Sequence, residues 1–213
     1  MSDERLPPAW LKPHGSRWTH GEPRRIHDNP WFGLDVYDAV APTGAPATYY
    51  IHDQKPIAVG ALPLHDDGTV TLVGQWRFPF DAYSWEIPEG GSPREEDPLD
   101  GAKRELGEEA GLKARDWRHV LTLQLSNASS NEYALCYLAT GLEPTSGHHL
   151  DDTEALAIER VPFGEALAAA AAGQIQDAIT VAMLLRVHHM AVVGALDPAL
   201  AQAVLMSVKG NGG

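Results

Sequence analysis

Apolar and polar residues alternate along residues 33–40 (GLDVYDAV), the period of a half-buried strand. Residues 42–46 (PTGAP) read as a turn and 48–51 (TYYI) as the returning strand. Residues 24–53 as a whole read as strands, but so little chain cannot bury a core by itself. This segment must pack on the rest of the chain or on another subunit. Residues 1–23 are rich in Pro, Gly and charge and predict an arm with little regular structure.

From residue 57 the pattern strengthens. Residues 58–63 (AVGALP) are an apolar strand, Asp66-Asp67-Gly68 a hairpin turn, and 69–73 the return strand, which runs into Gln75-Trp76-Arg77. Residues 85–88 (WEIP) form a short strand. Strands are also predicted over 119–124 and 132–139, with a polar loop between them at 125–131. An acidic loop follows at 147–154, then a last strand at 155–161. Beyond Pro162 the pattern turns helical: 165–172 is alanine-rich, Gly173 breaks it, 177 to about 192 is a second helix, and Asp197-Pro198 opens a third. The order of strands, helix, strands and helices predicts an α/β fold, a mixed sheet covered on both faces by helices.

The remaining helix lies in residues 90–112, GGSPREEDPLDGAKRELGEEAGL, a loop followed by a helix. Asp97 is a good N-cap, Pro98 suits the first helical position, and Asp100 sits three past the cap in the sense of a capping box. Gly111 falls where a left-handed C-terminal cap belongs. Leu99, Ala102, Leu106 and Ala110 repeat at helical spacing and form one apolar stripe. Glu105 and Glu109, four apart, share a face beside that stripe, and Glu108 lies further towards water. Like charges at this spacing mildly destabilise a helix. Carboxylates kept together despite that cost suggest a hard divalent cation such as magnesium, with manganese as the alternative ion. A solvated acidic face is the alternative reading, but the glycines, the arginine, the caps and the spacing agree over the whole stretch. Arg104, four residues before Glu108, either holds that carboxylate in place or makes a surface ion pair with it.

The chain has 213 residues and a formal net charge of -13. That balance disfavours nucleic acid, whose nonspecific binding relies on Lys and Arg, but it leaves anionic substrates open, because a bound metal reverses the local charge. The single cysteine, Cys136, excludes an intrachain disulfide and reads as a small core hydrophobe. There is no basic leader followed by an apolar core and no run long enough to span a bilayer. The expectation is a cytoplasmic protein with no membrane association. There is no internal repeat.

The spacing Gly90-x5-Glu96-x7-Arg104-Glu105-Leu106-x-Glu108-Glu109-x-Gly111-Leu112 resembles the Nudix box at every fixed position. The likeness extends over roughly residues 24–190. Residues 75–79 (QWRFP) followed by 85–91 (WEIPEGG) look like the entry to the box in ADP-ribose pyrophosphatases. The resemblance implies an α/β/α sandwich with a mixed sheet, an N-terminal β-stranded segment and C-terminal helices. On that pattern 1–54 is the arm and dimerisation segment, 55–193 the hydrolase domain and 194–213 a helical tail. It also implies a homodimer through residues 24–53.

For the site, the resemblance implies that Glu105 and Glu109 bind metal, that Glu108 and Glu96 assist, and that the Glu89 carbonyl oxygen completes the shell. Gly90 and Gly91 would let the backbone approach an ion closely. Arg77 matches a substrate-contacting arginine whose fork suits a diphosphate; a strand-end salt bridge is its alternative. Glu86 sits near the mouth of the same site. Trp31, Tyr49 and Tyr50 lie where relatives place aromatics over the base, although core or interface packing is open for each. Metal-held carboxylates are poor proton acceptors, so the general base is expected elsewhere; the resemblance to the ADP-ribose branch implies an acidic loop after the later strands, hence Glu154, with Asp152 as runner-up. The adjacent pairs His148-His149 and His188-His189 read as exposed.

The implied reaction is hydrolysis of a nucleoside diphosphate linked to a sugar, such as ADP-ribose, to a nucleoside monophosphate and a sugar phosphate. The loop at 126–132 lacks the proline common in the ADP-ribose branch, which leaves the sugar open. Two alternatives stand beside it. One is a Nudix hydrolase of nucleoside triphosphates, dinucleoside polyphosphates or RNA 5′ ends. The other is a non-catalytic module that senses ADP-ribose, against which the intact box argues.

Overall fold

The computed structural model describes residues 8–145 and 155–210. The chain divides into two compact units, Met1–Asp53 and Gln54–Gly213. In the first, β3 (Phe32–Val40) is central. It pairs antiparallel with β1 (Thr19–His20) and β2 (Arg24–Asp28), and it also pairs with β4 (Pro46–Gln54). Of the β3 residues Gly33, Asp35, Val36 and Ala39 are buried, and only two of these carry an apolar side chain, so apolar burial contributes little here. Arg25 ties the strands instead: its guanidinium donates to Asp35 at 2.5 and 3.0 Å, to Asp28 at 2.7 Å and to Asp53 at 2.6 Å. The two-residue β1 falls in the stretch expected to be an unstructured arm; its register on Ala39 and Val40 is a pairing that local composition does not encode.

The second unit carries two sheets. One has the order β8-β5-β10-β9, from β5 (Ile57–Pro63), β8 (Glu89–Ser92), β9 (Leu112–Gln124) and β10 (Tyr133–Pro144). Its central pair β5–β10 is parallel and its outer pairs are antiparallel. The other, β11-β6-β7, is wholly antiparallel and comprises β6 (Thr69–Arg77), β7 (Ala82–Glu86) and β11 (Ala157–Pro162). The mixed pairing expected from the sequence is therefore found in one sheet, and a second, antiparallel sheet stands beside it. Gly68, with φ 79°, makes the turn that carries the chain from β5 in one sheet to β6 in the other.

Side-chain alternation sends the two faces of the first sheet to different helices. Val59, Ala61, Tyr137 and Ala139 meet Ala102, Leu106 and Ala110 of α1 (Pro98–Ala110). Leu62, Ala134, Cys136 and Leu138 face the larger core under α2 (Phe163–Ala171), α3 (Ala178–Val192) and α4 (Pro198–Gly210). That is helix, sheet and helix in layers. Burial pushes the Cys136 thiol up to about 12, as suits a side chain with no solvent access. Among the described residues no helix is long and apolar enough to cross a membrane.

Three local expectations are corrected. The stretch at residue 90 opens as a strand, not a loop: Gly91 pairs with Ala58 and Gly90 with Val59, and the strand is cut off from β7 at Ile87-Pro88, where proline has no N–H to donate. Strand β9 begins at Leu112, seven residues earlier than expected, because β10 pairs with it as far as Pro144. The capping box at α1 is half formed. Asp97 accepts the Leu99 N–H at 3.0 Å, but Asp100 turns to Lys103 at 2.8 Å.

Candidate active site

Four consecutive residues between β7 and β8 are each anchored to a different element. The Glu86 carboxylate, buried to 2% exposure, accepts from Nε of Arg77 on β6 at 2.9 Å and from Nη2 at 2.5 Å. The Ile87 N–H donates to Thr180 Oγ1 on α3 at 2.9 Å. The Pro88 carbonyl accepts from Ala61 N on β5 at 2.9 Å. The Glu89 N–H donates to Glu109 Oε2 on α1 at 2.9 Å. The chain bends here without losing a ladder bond at proline, and every buried polar group named finds a partner.

Helix α1 brings the other carboxylates to this bend. Ala102, Leu106 and Ala110 face the sheet, so Glu105 and Glu109, beside that stripe, are carried into the edge of the interface and buried. Glu105 lies against the backbone of β8. A Cβ at Gly90 would stand 2.3 Å from its Oε1, so glycine lets the carboxylate lie where it does. Arg104 binds Glu105 and Glu108 at 2.9 Å each and donates to the Gly91 carbonyl at 2.9 Å, clamping α1 to β8. Arg77 also stands 3.5 Å from the Glu89 carboxylate.

The arrangement is short of positive charge. Glu86, Glu89, Glu105, Glu108 and Glu109 gather around the guanidiniums of Arg77 and Arg104. Burial, joined by the negative charges of Asp177 and Glu86, pushes the Glu89 carboxyl well above the ordinary range, with Arg77 only partly offsetting this. Its Oε2 is buried and accepts no hydrogen bond from any of the described residues. The Glu86 carboxylate holds the Arg77 guanidinium above its ordinary pKa. Among the described residues no three Asp, Glu, His or Cys side chains already converge on one point as a finished ligand cage. The donor set nevertheless fits a hard cation: it is all oxygen, mostly buried, and in excess over its counter-charges.

The expected site residues thus fall into four groups. The first rests on the backbone of β8, with Glu86, Arg77, Glu89 and Glu109 as one cluster and Glu105, Arg104 and Glu108 as a second. Glu96 stands off from it, with its Oε2 accepting from Ser92 Oγ at 3.1 Å on the loop that enters α1. Trp31 and Tyr50 are exposed on the N-terminal unit, and Tyr49 there packs edge-on against Trp18 at 5.5 Å. Glu154, Asp152, His148 and His149 lie outside the described residues.

Sequence reasoning assigned Glu89 a role only through its carbonyl and did not reach its buried side chain or Thr180. Asp177 was read only as the first residue of a helix; it caps α3, accepting the Thr180 N–H at 2.7 Å, and nothing local placed it beside Glu89.

With this geometry in view, the sequence matches the family model described as the NUDIX domain over residues 54–182. The chain belongs to the Nudix family. The Nudix unit is also similar to an ADP-ribose pyrophosphatase of Mycobacterium tuberculosis (strain ATCC 25618 / H37Rv), 33% identical over 137 residues. That match covers 62% of this chain and 64% of the relative, so the chain spans a little under two thirds of that protein's length. A CMP-5'-(N-acetyl-N-hydroxy-3-aminopropyl)phosphonate hydrolase of Streptomyces rubellomurinus (strain ATCC 31215) is 29% identical over 150 residues, 70% of this chain and 72% of the relative. Among solved structures, an ADP compounds hydrolase superposes with a TM-score of 0.75 over 87% of this chain and 100% of its own, at 20% identity. At that identity the likeness is one of fold, and it bears out the α/β/α sandwich expected from the sequence.

Proposed function

We propose that this Nudix protein is a magnesium-dependent pyrophosphohydrolase of a nucleoside diphosphate linked to a sugar, of the ADP-ribose type. The observation that carries this reading is the junction of two clusters at β8: Arg77 holds Glu86 and stands by Glu89, whose N–H donates to Glu109, while Arg104 holds Glu105 and Glu108 and donates to the Gly91 carbonyl. It sets a phosphate-matching guanidinium beside an oxygen-only donor set that lacks positive charge. Glu105 and Glu109 would hold the cation, assisted by Glu108, Glu96 and the Glu89 carbonyl. Bound there, it would neutralise charge developing on the diphosphate and acidify water.

The chain's own residues do the rest. Arg77, oriented by Glu86, offers its fork to a phosphoryl group at fixed geometry. Arg104 keeps α1 and β8 in register, so that Glu105 and Glu109 face the same space. A carboxylate of the 151–154 loop, Glu154 before Asp152, takes the proton of the attacking water. As oxygen adds to one phosphorus, the bridging P–O bond breaks, leaving a nucleoside monophosphate and a sugar phosphate.

The test is a substrate panel with magnesium, scored for release of nucleoside monophosphate, with a chelator control. ADP-ribose turnover that stops on chelation supports the reading; inertness towards every diphosphate in the panel refutes it. Similarity to the CMP-phosphonate hydrolase favours a second reading, a nucleoside monophosphate joined to a phosphonate. It predicts CMP release from such a compound in preference to AMP from ADP-ribose. We further propose a homodimer through residues 24–53, a segment with a small core and with Ile26, Trp31 and Tyr50 exposed. Light scattering at micromolar concentration should report twice the chain mass, and a monomer there refutes it.

A further inference from the structure

The bend that joins β7 to β8 carries two site carboxylates, Glu86 and Glu89, on either side of Ile87-Pro88. Neither Ile87 nor Pro88 lies within a strand, so the Ile87 N–H has no ladder partner and depends on one acceptor, Thr180 Oγ1 at 2.9 Å. Ile87 and Thr180 are both fully buried, which excludes water as a replacement acceptor. Thr180 is itself held rigidly. It lies in the first turn of α3, its N–H donates to the capping Asp177 at 2.7 Å, and Ile179 and Met183 beside it are core residues.

We propose that Thr180 is a positioning residue for the hydrolytic site: its hydroxyl pins Ile87 and so fixes the distance between the Arg77-bound Glu86 and the Glu109-bound Glu89. The physical case is one of leverage. Glu86 reaches β6 and Glu89 reaches α1, and each of those contacts tolerates rotation about side-chain torsions. The Ile87 hydrogen bond acts on the main chain between them, and with Ala61 N on the Pro88 carbonyl it removes the remaining freedom of the bend. Without it, a buried N–H must seek another acceptor, and the backbone can only reach one by moving. A shift of about 1 Å at reacting groups costs on the order of 10²-fold in rate.

The inference rests on the proposed pyrophosphohydrolase reading, and its test has one readout that does not. Thr180→Val removes the acceptor at nearly constant volume; Thr180→Ser keeps it and removes only a methyl. Expected for Thr180→Val is a fall in kcat of about 10- to 10²-fold with KM changed less than about threefold, together with faster exchange of the Ile87 amide by NMR. Expected for Thr180→Ser is near wild-type kcat and a protected Ile87 amide. Folded Thr180→Val with wild-type kcat overturns the proposal, and so does Thr180→Ser that folds yet loses rate as Val does, since packing would then be the cause. If Val does not fold, Thr180→Ala, which also removes the acceptor, takes its place in the same comparison with Ser. Should wild-type protein release no nucleoside monophosphate from any substrate, the pyrophosphohydrolase reading fails. The Ile87 exchange comparison then still decides whether Thr180 holds the bend, and an amide equally protected in both variants sinks it.

Discussion

Replacing Gly90 by alanine separates site geometry from stability. The added Cβ would stand 2.3 Å from Glu105 Oε1 and 2.4 Å from its Cδ. Ordinary contact is about 3.5 Å, so the carboxylate must withdraw by roughly 1 Å. The obstacle is the end of a flexible side chain, and Gly90 does not sit in the left-handed region, so the backbone of β8 accepts alanine without strain. Loss of glycine's extra freedom in the unfolded chain stabilises by about 0.4–1 kcal/mol, which offsets much of the crowding. The expected Tm therefore stays within about 4 °C of wild type for a chain of this size. Activity should not be spared, because Glu105 is buried on the face assigned to the cation. A displacement of about 1 Å predicts a loss of roughly 10²-fold in kcat/KM and a higher magnesium requirement. Release of nucleoside monophosphate across a magnesium titration, beside a thermal melt, makes the measurement. Wild-type activity at an unchanged Tm would refute the reasoning, and a rate loss explained by unfolding would refute the stability half of it.

Three further outcomes are expected. Glu105→Gln and Glu109→Gln fold but each lose more than the roughly 10- to 100-fold typical of outer-shell changes at metal sites; most of the wild-type rate at saturating magnesium would remove both from the ligand set. Glu154→Gln lowers kcat by about 10²- to 10⁴-fold with KM and metal affinity little changed, and if Asp152→Asn alone is crippled the base is Asp152. Asp67, held by the Thr69 hydroxyl and then Arg160, has its pKa lowered from 3.8 to about 2. Its stabilisation is thus complete above pH 4 and lost as pH falls through 2, so Asp67→Asn should be less stable than wild type at pH 7, by less than about 1 kcal/mol at this exposed pair, with the difference shrinking through pH 2 and gone only below it.

Much of this protein was legible in the chain because the relevant physics is local. Helix α1 begins at Asp97 and ends at Gly111, φ 64°, as caps and glycine dictate. Its stripe of Ala102, Leu106 and Ala110 is buried as the 3.6-residue period requires, and that rotation by itself carries Glu105 and Glu109 inward. The start of a helix at 177 and the break at Gly173, φ 73°, were equally local. Tertiary structure decided what depends on a distant partner. The strand character of residues 112–118 comes from pairing with β10, since Lys113, Arg115 and Asp116 hide any apolar alternation. Gly90 and Gly91 read as a loop until β5 pairs with them. The division into two sheets follows from where β6 finds β11 and β7. Thr180, one hydroxyl in an apolar helix, becomes part of the site only because Ile87, 93 residues earlier, has a buried N–H with nowhere else to donate. Periodicity and capping act over a few residues, whereas the satisfaction of a buried polar group is a property of the packed chain.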